Sequence, residues 1–344
     1  MSNLPPSGEI PRGAIRFNTD SNKPELWDGS QWAEFQLSTP NLGRSVDTQP
    51  GARGLFGGGQ LTGPSAMSDV IDYVNISSAG NAIDFGNLTV ARRWVTGAVA
   101  SRTRGIWAGG FTPSVNDTID FVTIASTGNA TDFGNQLDSK ATYGGCSNET
   151  RGVFGGGNPA ASSSKTDGID YITIASTGNS LDFGNLAAAT ASLCATAGQV
   201  RGLFVGGYTP TVLRTIQFVT IATTGNTQNF GDLARTNGQE GQACANATRG
   251  ICSGGTGPSP CTDIEYVNIA SGGNGNKFGD LITAGTSTMG ALSSPTRGLI
   301  STDDTNEDDI EMIEIATEGN AVDFGDLSAA RDIGSGCSNA HGGL

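Results

Sequence analysis

The pair Arg-Gly returns at Arg53, Arg104, Arg151, Arg201, Arg249 and Arg297, at intervals of 47 to 51 residues. A period of that length constrains the fold more than any composition value does. Each unit is one supersecondary element that can bury its apolar face only on its neighbours. Each Arg-Gly opens a short run: ARGLFGGG, TRGIWAGG, TRGVFGGG, VRGLFVGG, TRGICSGG, and the degenerate TRGLISTD. A variable stretch and a second run follow, as in IDFVTIASTGN and IEYVNIASGGN, and a third run such as ATDFGNQL or AVDFGDL closes the unit. Ile119 to Ile124 is β-branched, aromatic and apolar on both faces, which predicts a strand covered on both sides. The Gly128-Asn129 and Gly178-Asn179 pairs tolerate positive φ and predict hairpin turns. The segment before each Arg-Gly, such as Thr142 to Asn148, supplies a fourth strand. Four short strands, repeated six times, predict an all-β fold, a six-bladed β-propeller of four-stranded blades.

A further copy of the fourth-strand segment lies at the C-terminus. GCSNAHGGL, Gly336 to Leu344, aligns with GCSNETRGV, Gly145 to Val153, and stops where the next strand would begin. It is expected to pair into the first blade, which closes the ring and removes exposed sheet edges. In such a ring the uniform turns SNET and STGN share one face. The variable second-to-third loops and the blade crossings share the other. Variable loops on a rigid scaffold are where function usually sits. Phe111, Tyr208 and Trp94 fall there and offer stacking surfaces for a sugar or a protein; the simpler role is to cover blade ends.

Residues 1–40 stand outside the repeat and form a second module beside the propeller of 41–344. Gly13 to Phe35 reads as three short strands with turns at Asn18 to Lys23 and at Asp28-Gly29. So small a unit cannot build its own core. Trp27, Trp32, Phe17 and Phe35 are therefore candidate anchors against the propeller, sister copies in a homo-oligomer, or another protein.

The formal net charge of −14 repels phosphate backbones and anionic leaflets, so neither nucleic acid nor membrane is an expected partner. The first residues, MSNLPPSGEIPRG, lack the basic and apolar regions of a signal peptide, which points to a chain made in a cytoplasm. The six cysteines form no CxxC pair. Cys146, Cys244 and Cys337 recur at matching places and read as small buried hydrophobes. The single histidine, His341, reads as a solvated side chain near the C-terminus.

No catalytic residue and no cofactor are expected. The Arg-Gly arginines occupy one repeat position, so symmetry spreads them around a ring instead of gathering them on a substrate carboxylate. Their expected partners are the recurrent acids Asp72, Asp120, Asp170, Glu265 and Glu311. The glycine runs lack the Lys-Ser or Lys-Thr of a phosphate loop. Asp303, Asp304, Glu307, Asp308 and Asp309 are oxygen-rich enough to suggest calcium, with Asp303, Asp304 and Asp308 as ligands. Their spacing matches no EF-hand, and a solvated acidic loop is the preferred reading.

From about Leu42 onward the repeats resemble Kelch-type repeats. The glycine doublet, the third-strand aromatic and the Leu-x-x-x-Arg crossings at Leu88 to Arg92 and Leu327 to Arg331 carry that resemblance. The usual closing Trp is here the Phe of DFG, at Phe85, Phe133, Phe183 and Phe324, and several crossings lack the Arg. The N-terminal Gly13, Ile15, Arg16, Asn18, Thr19, Asp20, then Trp27, Asp28, Gly29 and Trp32, resembles an element of tail-fibre and other virion proteins of tailed bacteriophages. The repeat style is similar to that of structural proteins of marine and cyanobacterial phages. The resemblance implies a non-enzymatic virion structural or adhesive protein made in the host cytoplasm. Its N-terminal module would dock to other virion proteins and its propeller would meet a host-surface glycan or protein. The alternatives are a cytoplasmic Kelch-like scaffold and a glycan-active hydrolase; the last would need two close carboxylates in a deep pocket.

Overall fold

The computed structural model describes residues 10–18, 23–34, 53–61, 66–159, 164–235, 238–256, 259–284, 290–302, 308–332 and 334–344. Among them there is no helix. All named strands lie in eight antiparallel sheets: six of four strands, one of three and one of two. The chain divides into two compact units, residues 1–49 and 50–344.

In the first unit, Ile15–Asn18, Lys23–Trp27 and Trp32–Glu34 form a meander. Alternation splits its side chains. Ile15 and Phe17, opposite Leu26 and Pro24, are 68% and 59% exposed. Arg16, Glu25, Trp27 and Trp32 share the other face. There Arg16 pairs with Glu25 at 2.6 Å and its guanidinium lies 4.2 Å from the Trp32 ring centre. Trp27 and Glu25 are buried. Phe35 lies outside the described residues.

The repeats of the second unit each give one four-stranded sheet. The third repeat is typical: Gly144–Ser147, Arg151–Gly155, Gly168–Thr173 and Leu181–Asn185, paired in that order. The first repeat takes its first strand from the C-terminus, as expected. Ser335–Ser338 pairs with Arg53–Gly57 through the register Ser335 to Gly57 and Cys337 to Leu55. Apolar side chains fill the spaces between sheets. Six clusters sit between consecutive pairs, and one of them joins the sixth sheet to the first through Phe56, Val74, Leu299 and Phe324.

Two glycine positions explain how closely the sheets approach. The Arg-Gly glycine leaves room for a first-strand side chain of the preceding sheet. A Cβ at Gly105, Gly202 or Gly298 would strike the Sγ of Cys337, Cys146 or Cys244. The recurrent cysteines are therefore spacers, buried and unpaired. The DFG glycines Gly86, Gly134, Gly184, Gly231 and Gly325 have φ between 146° and 159°, and a Cβ on any of them would collide with the Gly-Asn backbone of the next repeat. That contact corrects the expected hairpin turn. The chain reverses earlier, where Ser126 N donates to Thr123 O (3.2 Å). Gly128-Asn129 instead laces two sheets together: Gly128 N donates to Phe85 O at 2.8 Å, and Asn129 Oδ1 accepts from Asn87 N at 3.1 Å.

The Arg-Gly arginines are also reassigned. Arg53 pairs across its hairpin with Asn75, whereas Asp72 lies opposite Phe56, three residues further on. At about 3.3 Å per residue the two are roughly 10 Å apart along the strand. Each arginine instead donates to a carbonyl of the next sheet, as in Arg53 to Ile124 O (2.9 Å) and Arg297 to Ile76 O (3.3 Å). Five of them lie over the third-strand ring of their own sheet, as Arg104 does over Phe121. The recurrent acids take their partners from the crossing. Arg92 pairs with Asp120 at 2.8 Å, Arg331 with Asp72 at 2.9 Å, and Lys140 with Asp170. A register shift falls beside each acid, between Ile119 and Asp120 for instance, and re-aims its side chain toward the neighbouring sheet. Where the crossing carries Thr190 instead of a cation, the acid is replaced by Gln217, which accepts from Ala187 N. Glu311, the matching acid of the sixth repeat, is buried and held by Ile282 N, Thr283 N and Thr302 Oγ1, so the position tolerates an acid without an ion pair when neutral donors surround it.

Candidate functional site

First strands from all six sheets converge on a central cavity. They are built from small residues, AVA, GGCS, CATA, QACA, GALS and SGCS, because larger side chains would not fit where they meet. The cavity has two ends.

One end is floored by the C-terminal residues. His341 Nε2–H donates to Ala100 O at 3.1 Å and lies 3.2 Å from Ser147 Oγ, while Nδ1 accepts from Gly343 N at 3.1 Å. Side chains on Gly342 or Gly343 would collide with Asn246 O and Ser147 O, so the segment reaches several sheets. Burial pushes the His341 imidazole down to about 4. His341 is thus a partly covered structural group, in contrast to the solvated side chain the sequence suggested. What remains of the cavity above this floor is about 50 Å³.

The other end opens through Trp94, Thr142, Ser192 and Glu240 into a space of about 80 Å³. These four are the non-glycine residues with left-handed backbone among those described, with φ between 54° and 57°. Such a backbone costs about 1–2 kcal/mol per residue. The cause is visible in the hydrogen bonds. Thr142 N donates to Trp94 O (3.2 Å), Ser192 N to Thr142 O (2.7 Å) and Glu240 N to Ser192 O (2.9 Å). Each crossing is laced to the one before it, and the lacing holds four side chains around one opening. Glu240 is the carboxylate of this lining and accepts from Thr256 Oγ1 at 3.0 Å. Deeper in, Ser335 is 4% exposed and its Oγ has no hydrogen-bond partner among the described residues.

Trp94 and Phe111 are brought together beside this opening. Their ring centres are 5.0 Å apart, with the Arg93 guanidinium 4.4 Å from one and 5.1 Å from the other. Arg93 and Phe111 also form a backbone bridge. Tyr208 holds the matching repeat position two sheets further on. It bridges to Ala191 and lies under Lys165 Nζ at 4.8 Å, with no aromatic partner like that of Phe111 among the described residues. All three aromatics are half-buried. Sequence reasoning missed Thr142, Ser192, Glu240 and Ser335. The single signal available was position, since each of the first three stands one residue after the crossing residue that bridges to the following loop.

The acidic loop places Asp308 with Asp309 and Asp326, their carboxylates within 4.8 Å of one another. Asp303 and Asp304 lie outside the described residues. Asp309 faces Asp326 across the sheet, as Asp263 faces Asp280 in the preceding repeat. There Lys277 bridges both acids, and the sixth repeat has Asp323 in its place.

The sequence matches no model of a known protein family and no curated protein.

Proposed function

We propose that the six repeat sheets are the blades of a closed six-bladed β-propeller, and that the chain is a non-enzymatic structural or adhesive component of a bacteriophage particle. The closed ring is supported by the C-terminal strand in the first sheet and by the apolar cluster joining the sixth sheet to the first. The single observation that carries the particle reading is the separate N-terminal meander, which bears the phage-like motif and exposes Ile15 and Phe17 on one face. Apolar side chains on so small a sheet are stabilised when another surface covers them. The docking face is therefore Ile15 and Phe17 with Leu26, while Trp27 and Trp32 hold the meander together from behind. The central cavity supports a binding role over hydrolysis, since Glu240 is the carboxylate of its described lining and retaining or inverting hydrolysis uses two.

The test is fractionation of particles from a lysate of the encoding phage. The chain should co-sediment with particles, and an Ile15→Asp, Phe17→Asp variant should stay in the soluble fraction with an unchanged propeller melting transition. A wild-type chain found in the soluble fraction alone would refute the reading.

A further inference from the structure

We infer that the open end of the central cavity binds one neutral sugar residue, the terminal unit of a surface glycan. The inference rests on the adhesive reading for the origin of that glycan, but its chemistry stands on the cavity.

Three independent features converge there. The first is the set of left-handed residues. The backbone lacing fixes Trp94, Thr142, Ser192 and Glu240 around the opening, so a ligand would meet groups whose ordering cost is already met by the fold. The second is the buried Ser335 hydroxyl. A buried polar atom without a partner costs about 1–3 kcal/mol; Ser335 Oγ is sealed from the cavity in this structure, so a ligand hydroxyl completes it by displacing the lining around it. The corresponding register position holds Gly144, Cys194 and Gly290 in three other sheets, so a serine is not required by the strand itself. The third is chemical type. Trp94 supplies an aromatic surface, Ser192 and Ser335 supply hydroxyls, and Glu240 supplies an acceptor, while the Thr142 hydroxyl is held by Ala141 O and Asn158 Nδ2. An aromatic platform among hydroxyl and carboxylate groups suits a ring with apolar C–H faces and hydroxyls around its edge.

Size and charge narrow the choice. A space of about 80 Å³ accepts several waters or part of one sugar ring, not a chain of sugars, so the ligand enters by its terminal unit. Glu240 and a net charge of −14 disfavour anionic sugars. A peptide side chain is the competing ligand. A lysine would favour Glu240 at the mouth and leave the Ser335 hydroxyl unmatched.

The experiment uses the full-length chain. Glucose, galactose, mannose and N-acetylglucosamine are titrated by saturation-transfer NMR, with sialic acid and lysine methyl ester as charged probes. At least one neutral sugar should bind. Trp94→Ala should weaken that binding roughly tenfold. Ser335→Ala should weaken it by several-fold while its melting temperature is unchanged or raised, because the variant removes an unsatisfied buried group. A merely structural serine would show the opposite pattern: a lower melting temperature and no loss of binding. Absence of binding by all four neutral sugars, or equal binding by the Trp94 and Ser335 variants, overturns the inference, as does binding of the lysine ester alone. Failure here leaves the particle reading intact if the chain still co-sediments with particles. A sugar-binding chain absent from particles would sink the particle reading and leave the site standing.

Discussion

The two ends of the central cavity are framed by the same six first strands and are finished differently. The floor carries the C-terminal segment: the His341 imidazole donates to Ala100 O, which also accepts from Ser147 Oγ, and Gly342 and Gly343 pass close to Asn246 O and Ser147 O. The mouth is left open, and its rim is held in a strained backbone by hydrogen bonds from one crossing to the next. Left-handed backbone marks one end, and an imidazole bonded to a first-strand carbonyl marks the other.

The largest way to break this contrast is to remove the floor. Truncation after Asp332 deletes both the first strand of the first sheet and the residues beneath the cavity. The apolar space between the sixth and first sheets then loses a wall. The variant should lose most of a stability that for single domains is about 5–15 kcal/mol, seen as loss of cooperative melting. Melting at the parental temperature would show that the C-terminal strand does not matter to the ring.

A smaller effect sharpens the floor alone. The folded protein holds the His341 imidazole at about 4, below its ordinary value near 6.5, so folding favours the neutral ring. Its contribution is fully present above pH 6.5 and is lost as pH falls from 6.5 toward 4, by at most about 3 kcal/mol. His341→Ala should flatten this limb of the stability profile and weaken the floor by about 1–2 kcal/mol at neutral pH through lost hydrogen bonds. A wild-type profile that is flat between pH 4 and 6.5 would contradict a ring held neutral by the fold.

The smallest effect is at the mouth and has the opposite sign. Ser192→Gly keeps the backbone hydrogen bonds and removes the left-handed penalty, offset by the greater chain entropy of glycine. A gain of up to about 1 kcal/mol is expected in denaturant titration. A loss of that size would mean that the Ser192 side chain itself supports the rim.

Much of the fold was legible because it depends on period. Arg-Gly spacing, glycine doublets and the C-terminal GCSN copy fix six similar units and the pairing of Ser335–Ser338 with Arg53–Gly57. The arginine partners were not legible, because reach depends on hairpin register and not on residue type. A three-residue offset separates Arg53 from Asp72, while the crossing that carries Arg331 is far away in sequence. The cysteines were legible as small buried residues, but not as spacers against the Arg-Gly glycine of the next sheet. Of the candidate site, Trp94 and Phe111 could be named from composition and loop position, and the structure places them side by side. Thr142, Ser192 and Glu240 could not, since nothing in a side chain announces that its backbone is left-handed. His341 was misread because proximity to the C-terminus suggests solvent, whereas this C-terminal segment packs against first strands of other sheets.

The proposed ring is closed by the C-terminal strand Ser335–Ser338 in the first sheet. Amide hydrogen exchange followed residue by residue tests it without altering the chain. Amides of Ser335 to Ser338 that pair with Arg53–Gly57 should be protected to the same degree as those of Gly144–Ser147, which occupy the same place in an uninterrupted sheet. Rapid exchange at Ser335 to Ser338, with protection retained at Gly144 to Ser147, would contradict the closed ring.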